Sequence, residues 1–206
     1  MNSIEAIGIS RSFSVLGEKR KAVLEDICLS IEKGSIVSIL GRSGSGKTTL
    51  MRILSGLDRP DCGIVRIEEG RIAFIYQDPI TAFDPSRSIG KSLSENGGRN
   101  RDDALRRTGL YGIDTSRRPN QYSQGQLQRF QMARAFMHMP EILFLDEVTA
   151  NLDASLSSEI INMVLDMNEL YGTTIVMATH QIGYACHISD RIIEIKDGKA
   201  IGRNCR

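Results

Sequence analysis

The run Gly41-Arg42-Ser43-Gly44-Ser45-Gly46-Lys47-Thr48 constrains this chain more than any other stretch. It satisfies G-x-x-x-x-G-K-[ST], a turn whose backbone N–H groups wrap a polyphosphate at a helix N-terminus, where the helix dipole also favours anions. Its surroundings suit that geometry. Ile36-Val37-Ser38-Ile39-Leu40 leads in as an apolar strand, and residues 48–54 lead out with helical spacing. The glycines let the backbone approach a ligand and take positive φ. Lys47 is expected to reach the β- and γ-phosphates and the Thr48 hydroxyl to ligate Mg²⁺. The expected phosphate-binding set is Gly41, Arg42, Ser43, Gly44, Ser45, Gly46, Lys47, Thr48 and Thr49. A Gly/Ser-rich surface turn is the competing reading of the same residues.

With 206 residues, the chain has room for one large domain with a sizeable core. A net charge of +1 gives no global field directed at nucleic acid or a membrane surface. Cys28, Cys62, Cys186 and Cys205 show no C-x-x-C spacing, which argues against zinc and against a disulfide framework. No apolar run approaches the roughly 18 residues of a membrane span, and the N-terminal residues do not read as a signal peptide. A cytoplasmic protein is expected, with any membrane role exercised through a partner.

Strands are expected near residues 3–9, 23–31, 36–40, 63–67 and 71–76, with turns at 17–21, 32–34 and 68–70. Residues 78–121 are polar and rich in arginine (Arg99, Arg101, Arg106, Arg107, Arg117, Arg118), with short helical patterns at 88–95 and 102–110. This is read as a solvated face, or alternatively as a docking surface. Residues 124–137 are helical and closed by Pro140; 142–145 form a continuous apolar strand; 153–171 form a long helix ended by Gly172. A strand at 174–178, a helix at 181–188 and a hairpin around Asp197-Gly198 complete the chain. Strands alternating with helices imply an α/β fold with a mainly parallel sheet.

The apolar run at 142–145 ends in Asp146 and Glu147, two acids at the strand end where ligands of open α/β sheets bind. Asp146 is suited to hold Mg²⁺ through a water, and Glu147 to polarise the attacking water. The bland alternative is two acids capping a strand.

Tyr122-Ser123-Gln124-Gly125-Gln126-Leu127-Gln128-Arg129 precedes that strand by about twenty residues. It resembles the signature of ATP-binding cassette (ABC) ATPases. The order of motifs agrees over nearly the whole chain: phosphate loop, Gln77, signature, Asp146-Glu147, Asn151-Leu152-Asp153, then His180. The resemblance implies a P-loop NTPase core with an N-terminal antiparallel β subdomain and a small α-helical signature subdomain. It makes residues 1–206 a single ABC ATPase domain: 1–76 as phosphate-loop core with the antiparallel part, 77–137 as the helical lobe, and 138–206 as the rest of the core.

The resemblance also implies roles. Phe13 stacks on adenine, although a lone Phe is as often core. Gln77 meets the Mg²⁺ shell together with Thr48 and Asp146. Ser123, Gly125 and Gln126 contact the nucleotide of a second ATPase subunit, with helix capping as the plainer role of Ser123. Asp153 belongs to a loop that crosses the dimer interface, or is a helix N-cap. Glu147, His180, Lys47 and Gln77 form the catalytic set. Gln124 stands where the family has glycine; a side chain there risks crowding the facing nucleotide or restricting φ, and so slowing hydrolysis, but the site is expected to survive because Ser123 and Gly125 remain.

Residues 77–85, Gln-Asp-Pro-Ile-Thr-Ala-Phe-Asp-Pro, are similar to a segment of the peptide, nickel and opine-metallophore importer ATPases. The implied protein is an ATP- and Mg²⁺-dependent ATPase on the inner face of the cell membrane. It would act with integral membrane permease subunits, a second ATPase subunit and an extracytoplasmic solute-binding protein, and without nucleic acid. Two alternatives stay open: a non-transport ABC ATPase of DNA repair or translation, and a weakly catalytic regulatory subunit.

Overall fold

The computed structural model describes residues 2–14, 20–95, 100–150 and 152–203. Most of the turn expected at 17–21 lies outside them, as do Met1, Arg99, Asn151 and Cys205. In chain order the elements are β1 (Asn2–Phe13), β2 (Lys21–Glu32), β3 (Ile36–Leu40), α1 (Lys47–Leu54), β4 (Cys62–Ile67), β5 (Ile72–Ile75), α2 (Ile89–Ser94), α3 (Arg101–Arg107), α4 (Gln124–His138), β6 (Ile142–Asp146), α5 (Ala154–Tyr171), β7 (Thr174–Thr179), α6 (Ile182–Ile188), β8 (Arg191–Lys196) and β9 (Lys199–Arg203). Short 3-10 turns occupy Pro79–Ala82 and Pro119–Gln121. The chain divides into two units, residues 1–70 with 174–206, and residues 71–173.

In the first unit β1 lies between β2 and β4 in an antiparallel sheet. Alternation, interrupted by register shifts between Ala6 and Ile9 and between Ile9 and Arg11, buries Ile4, Ala6 and Ile9 on β1 and Leu24, Ile27, Leu29 and Ile31 on β2. Gly63 is required where β4 meets β1: its φ is 87°, and a Cβ there would sit 2.4 Å from the Gly8 carbonyl oxygen. The same unit holds β3 between β7 and β8, both parallel to it, with β9 antiparallel to β8. All five residues of β3 and all six of β7 are buried, as central parallel strands require. Helix α1 sets Leu50, Met51, Ile53 and Leu54 into the core.

The second unit pairs β5 with β6 in parallel. The turn at residues 68–70 therefore joins strands with different partners: β4 pairs with β1, and β5 with β6. Helix α4 buries Leu127, Phe130, Met132, Ala133 and Phe136, and α5 buries Ile160, Ile161, Val164 and Met167. Asp153 caps α5, accepting from the Leu156 N–H at 2.9 Å, and Gly172 ends it at φ 65°. No described helix is long and apolar enough to cross a membrane. Cys28 and Cys62 are free, whereas Cys186 is disulfide-bonded, although the cysteine spacing argues against a disulfide framework.

Candidate functional site

Residues 41–48 lie at the C-terminal end of β3, which delivers them into α1. Gly44 and Gly46 take φ of 75° and 100°. A Cβ on Gly46 would lie 2.9 Å from Val23 Cγ1, so glycine is needed both for the turn and for space. The Ser45 N–H donates to the Arg42 carbonyl at 3.1 Å, and the Leu50 N–H to the Gly46 carbonyl at 2.8 Å, closing the loop onto the helix. Lys47 is only 4% exposed, and its ammonium donates to the carbonyls of Gly41 (2.9 Å) and Arg42 (3.1 Å). Arg42, Ser43, Gly44 and Thr48 face solvent, and Thr49 is half-buried. The Ser45 hydroxyl is buried with no hydrogen-bond partner among the described protein groups.

A cleft of about 650 Å³ opens beside the loop, between residues 21–23, 42–45 and 194–198. That volume suits a nucleotide-sized ligand. Phe13, 40% exposed, pairs across the sheet with Lys21, which lines this cleft. The strand end carrying Phe13 is braced. Arg11 donates to Asp61 at 3.0 Å and to Asp58 at 3.4 Å, and its guanidinium lies 5.0 Å from the Phe13 ring centre. The Ser12 N–H donates to Asp61 at 2.8 Å and, with Arg11, holds that carboxyl below the usual range. Parallel register pairs Leu40 with Thr179, so His180, exposed at the end of β7, emerges beside the start of the phosphate loop.

The second unit repeats this arrangement. Ile75 pairs with Leu145, so Gln77 and Glu147 leave β5 and β6 side by side, and Gln77 Nε2 donates to Glu147 Oε2 at 3.4 Å. Asp146 is 4% exposed at the end of β6. Glu147 adopts φ 46°, a left-handed conformation that costs a non-glycine residue about 1–3 kcal/mol and clusters at functional positions. Its carbonyl accepts from the Ala150 N–H at 3.0 Å in the turn that follows.

Ser123 caps α4 in a reciprocal box: its hydroxyl accepts from the Gln126 N–H at 3.2 Å, and the Gln126 amide oxygen accepts from the Ser123 N–H at 3.0 Å. The capping roles expected for Ser123 and Asp153 are thus both present. A Cβ on Gly125 would lie 2.5 Å from Leu156 Cδ2, so that glycine lets α4 approach α5. Gln124 is exposed and is not among the residues with positive φ, so the anticipated backbone restriction is absent.

Phe13, the phosphate loop and His180 therefore lie in one unit, and Gln77, Ser123, Gly125, Gln126, Asp146 and Glu147 in the other. Sequence reading missed buried Gln131 and half-buried Arg134, polar groups of α4 that hold the segment containing Gln77. Little in the sequence pointed to them: Gln131 and Arg134 share a helix face with Gln124 and His138, which reads as a solvated face.

Comparison with known proteins agrees with these features. A family model described as ABC transporter matches residues 24–150. The nickel import ATP-binding protein NikE of Rhodospirillum rubrum is 33% identical over 93% of this chain and 79% of its own length. The macrolide export ATP-binding/permease protein MacB of Neisseria gonorrhoeae is 37% identical over 98% of the chain, which spans 34% of that longer polypeptide. The dimeric ATP-binding cassette MJ0796, in a post-hydrolysis state bound to ADP and Pi, superposes with a TM-score of 0.88 at 28% identity, covering 98% of this chain and 99% of that one. A nucleotide-sized cleft beside a complete phosphate loop, and an acid pair on a parallel strand end, are thus found in a chain that belongs to the ABC transporter family as an ATP-hydrolysing subunit.

Proposed function

We propose that the chain hydrolyses MgATP to power import of a peptide, nickel or metal-chelate solute, with each site residue acting as the family resemblance implies. The polyphosphate rests on the loop amides, Lys47 and the hydroxyls of Ser43, Ser45 and Thr48, with Thr49 behind them. The buried, unpaired Ser45 hydroxyl supports this, because such a group is normally satisfied by a partner. Adenine stacks on Phe13 across the cleft. Thr48, Gln77 and Asp146 offer the hard oxygen donors that Mg²⁺ prefers, and an ion that keeps water and phosphate ligands needs few protein groups. When bound, Mg²⁺ neutralises charge on the β- and γ-phosphates. Glu147, oriented by Gln77, takes the proton of the attacking water, and His180 holds the γ-phosphate side.

Two ATPase subunits stack head to tail, and Ser123, Gly125 and Gln126 face the nucleotide of the partner. The exposure of Ser123 and Gln124 at the start of a helix whose remaining residues are buried or half-buried supports this. In this reading residues 1–206 work as one ABC domain, with 77–137 as its helical lobe. The assembly sits on the inner face of the membrane against integral permease subunits, and a solute-binding protein delivers cargo from outside.

Residues 77–85 are the observation that carries import. Asp78 caps the 3-10 turn by accepting from the Ile80 N–H at 3.1 Å, Pro79 and Phe83 are buried, and Ile80 is left 42% exposed. The segment is thus a fixed shape with an apolar tip, suited to reading a partner. The similarity to a nickel import ATPase agrees with import; the similarity to MacB supplies the competing direction. The test is recovery of the assembly from detergent-solubilised membranes and its reconstitution in vesicles. ATP-driven uptake toward the ATPase side of nickel chelates or short peptides is expected. Flux the other way, or recovery with ribosomes or DNA in place of permeases, overturns the proposal.

A further inference from the structure

Helix α4 holds the segment containing Gln77 at both ends. Gln131, 1% exposed, bonds the backbone of a single residue twice: its Oε1 accepts from the Tyr76 N–H at 3.2 Å, and its Nε2 donates to the Tyr76 carbonyl at 3.4 Å. One helical turn on, Arg134 donates to the Ala82 carbonyl at 2.8 Å, and its guanidinium lies 4.9 Å from the Phe83 ring centre. Tyr76 and Ala82 bracket the stretch, and Gln77 is the first residue inside it.

The Gln131 contact has the form of strand pairing. Tyr76 is one residue beyond β5, where the register with β6 has reached its last pair, Ile75 with Leu145. The side-chain amide takes the place that another strand would occupy, pairing both backbone groups of Tyr76. Burying an amide is unfavourable unless its bonds are made, whereas leucine or methionine of similar size would fill the same space without that cost. The amide therefore fixes Tyr76 rather than merely packing. With Tyr76 fixed, the next residue's side chain is directed at Glu147, which it reaches at 3.4 Å.

We propose that Gln131 is a positioning residue for ATP hydrolysis: it holds the Tyr76 backbone so that Gln77 meets Glu147, while Arg134 anchors the far end of the same segment. The inference rests on the reading of Gln77 and Glu147 as hydrolytic residues. Gln131→Met keeps length and volume and removes both bonds; Gln131→Leu serves as an independent second variant. The measurements are steady-state ATPase rate, ATP affinity by fluorescent-nucleotide displacement, and Tm, on the purified full chain.

A small misplacement of a reacting group costs up to about a hundredfold in rate. We expect kcat to fall about tenfold or more, with ATP Kd within about twofold of wild type. In a Gln77→Ala background, Gln131→Met is expected to cause no further loss, because the residue it positions is already gone. Wild-type kcat in both Gln131 variants, or losses that multiply in the double variant, overturns the inference. A Gln77→Ala chain with wild-type kcat overturns instead the underlying reading of Gln77, and this inference with it.

Discussion

Gln77 and Glu147 meet at 3.4 Å because two parallel strands, paired at Ile75 and Leu145, release the residues two places further on side by side. The amide donates to a carboxylate oxygen and so orients the acid. Replacing Glu147 by Gln keeps size and hydrogen bonding but removes the carboxylate proposed as proton acceptor. General-base assistance is worth about 10²–10⁴-fold, so Glu147→Gln is expected to bind ATP normally while turnover falls at least about a hundredfold. Single-turnover hydrolysis at saturating ATP checks it; a wild-type rate assigns the proton transfer to another group.

The buried ammonium of Lys47, bonded to the Gly41 and Arg42 carbonyls, leads to a second expectation. A charge-assisted hydrogen bond contributes about 1.5–3 kcal/mol. Lys47→Ala is therefore expected to weaken ATP binding about tenfold to a hundredfold. Titration calorimetry would read this directly, and unchanged affinity would remove Lys47 from the phosphate contacts.

The parts of this arrangement that the sequence made legible are those written in contiguous residues. The apolar run 36–40, the glycines and the helical spacing after Thr48 lie next to one another, so strand, loop and helix could be read together. Asp146 and Glu147 were legible for the same reason. The Gln77–Glu147 contact depends on which strands pair and in what register, and those residues are seventy positions apart. Gln131 and Arg134 were hidden differently: a polar residue in a helix ordinarily faces water, and only the packing of α4 turns these two toward residues 76–82. The left-handed φ of Glu147 has no sequence signal, since the residue type disfavours it. The capping roles of Ser123 and Asp153 were read from residue type alone, because a cap is a local device.

Acid should loosen the strand end that carries Phe13. Asp61 accepts from the Ser12 N–H and from Arg11, and both hold its carboxyl below the ordinary value. A carboxyl depressed in the folded chain stabilises it above the unfolded pKa, about 3.9 for Asp, and loses that contribution as pH falls through the lower folded value. Glu68 beside Lys33, Asp84 beside Ser86, Asp114 beside Ser116 and Glu141 beside Arg71 are shifted in the same direction. Tm is therefore expected to decline below about pH 4. The Tm difference between wild type and Asp61→Asn is expected to be present at pH 7 and to close in that acid range. A difference independent of pH would mean that the Asp61 charge contributes nothing to the brace.

Gln124 is not needed for this chain's own fold, and in the proposed dimer it would face the partner's nucleotide. It is the first residue of α4, is exposed, and has no left-handed backbone to relieve. Glycine there removes side-chain contacts only from whatever faces the helix end, at a helix-propensity cost of up to about 1 kcal/mol. If two subunits stack as proposed, the side chain stands between the free N–H groups of α4 and the facing γ-phosphate. Gln124→Gly is then expected to raise kcat of the assembled transporter while leaving ATP affinity of the isolated chain unchanged. The two quantities separate the causes: a change in the isolated chain would place the effect on its own site, and an unchanged kcat in the assembly would mean that the glutamine swings clear of the nucleotide.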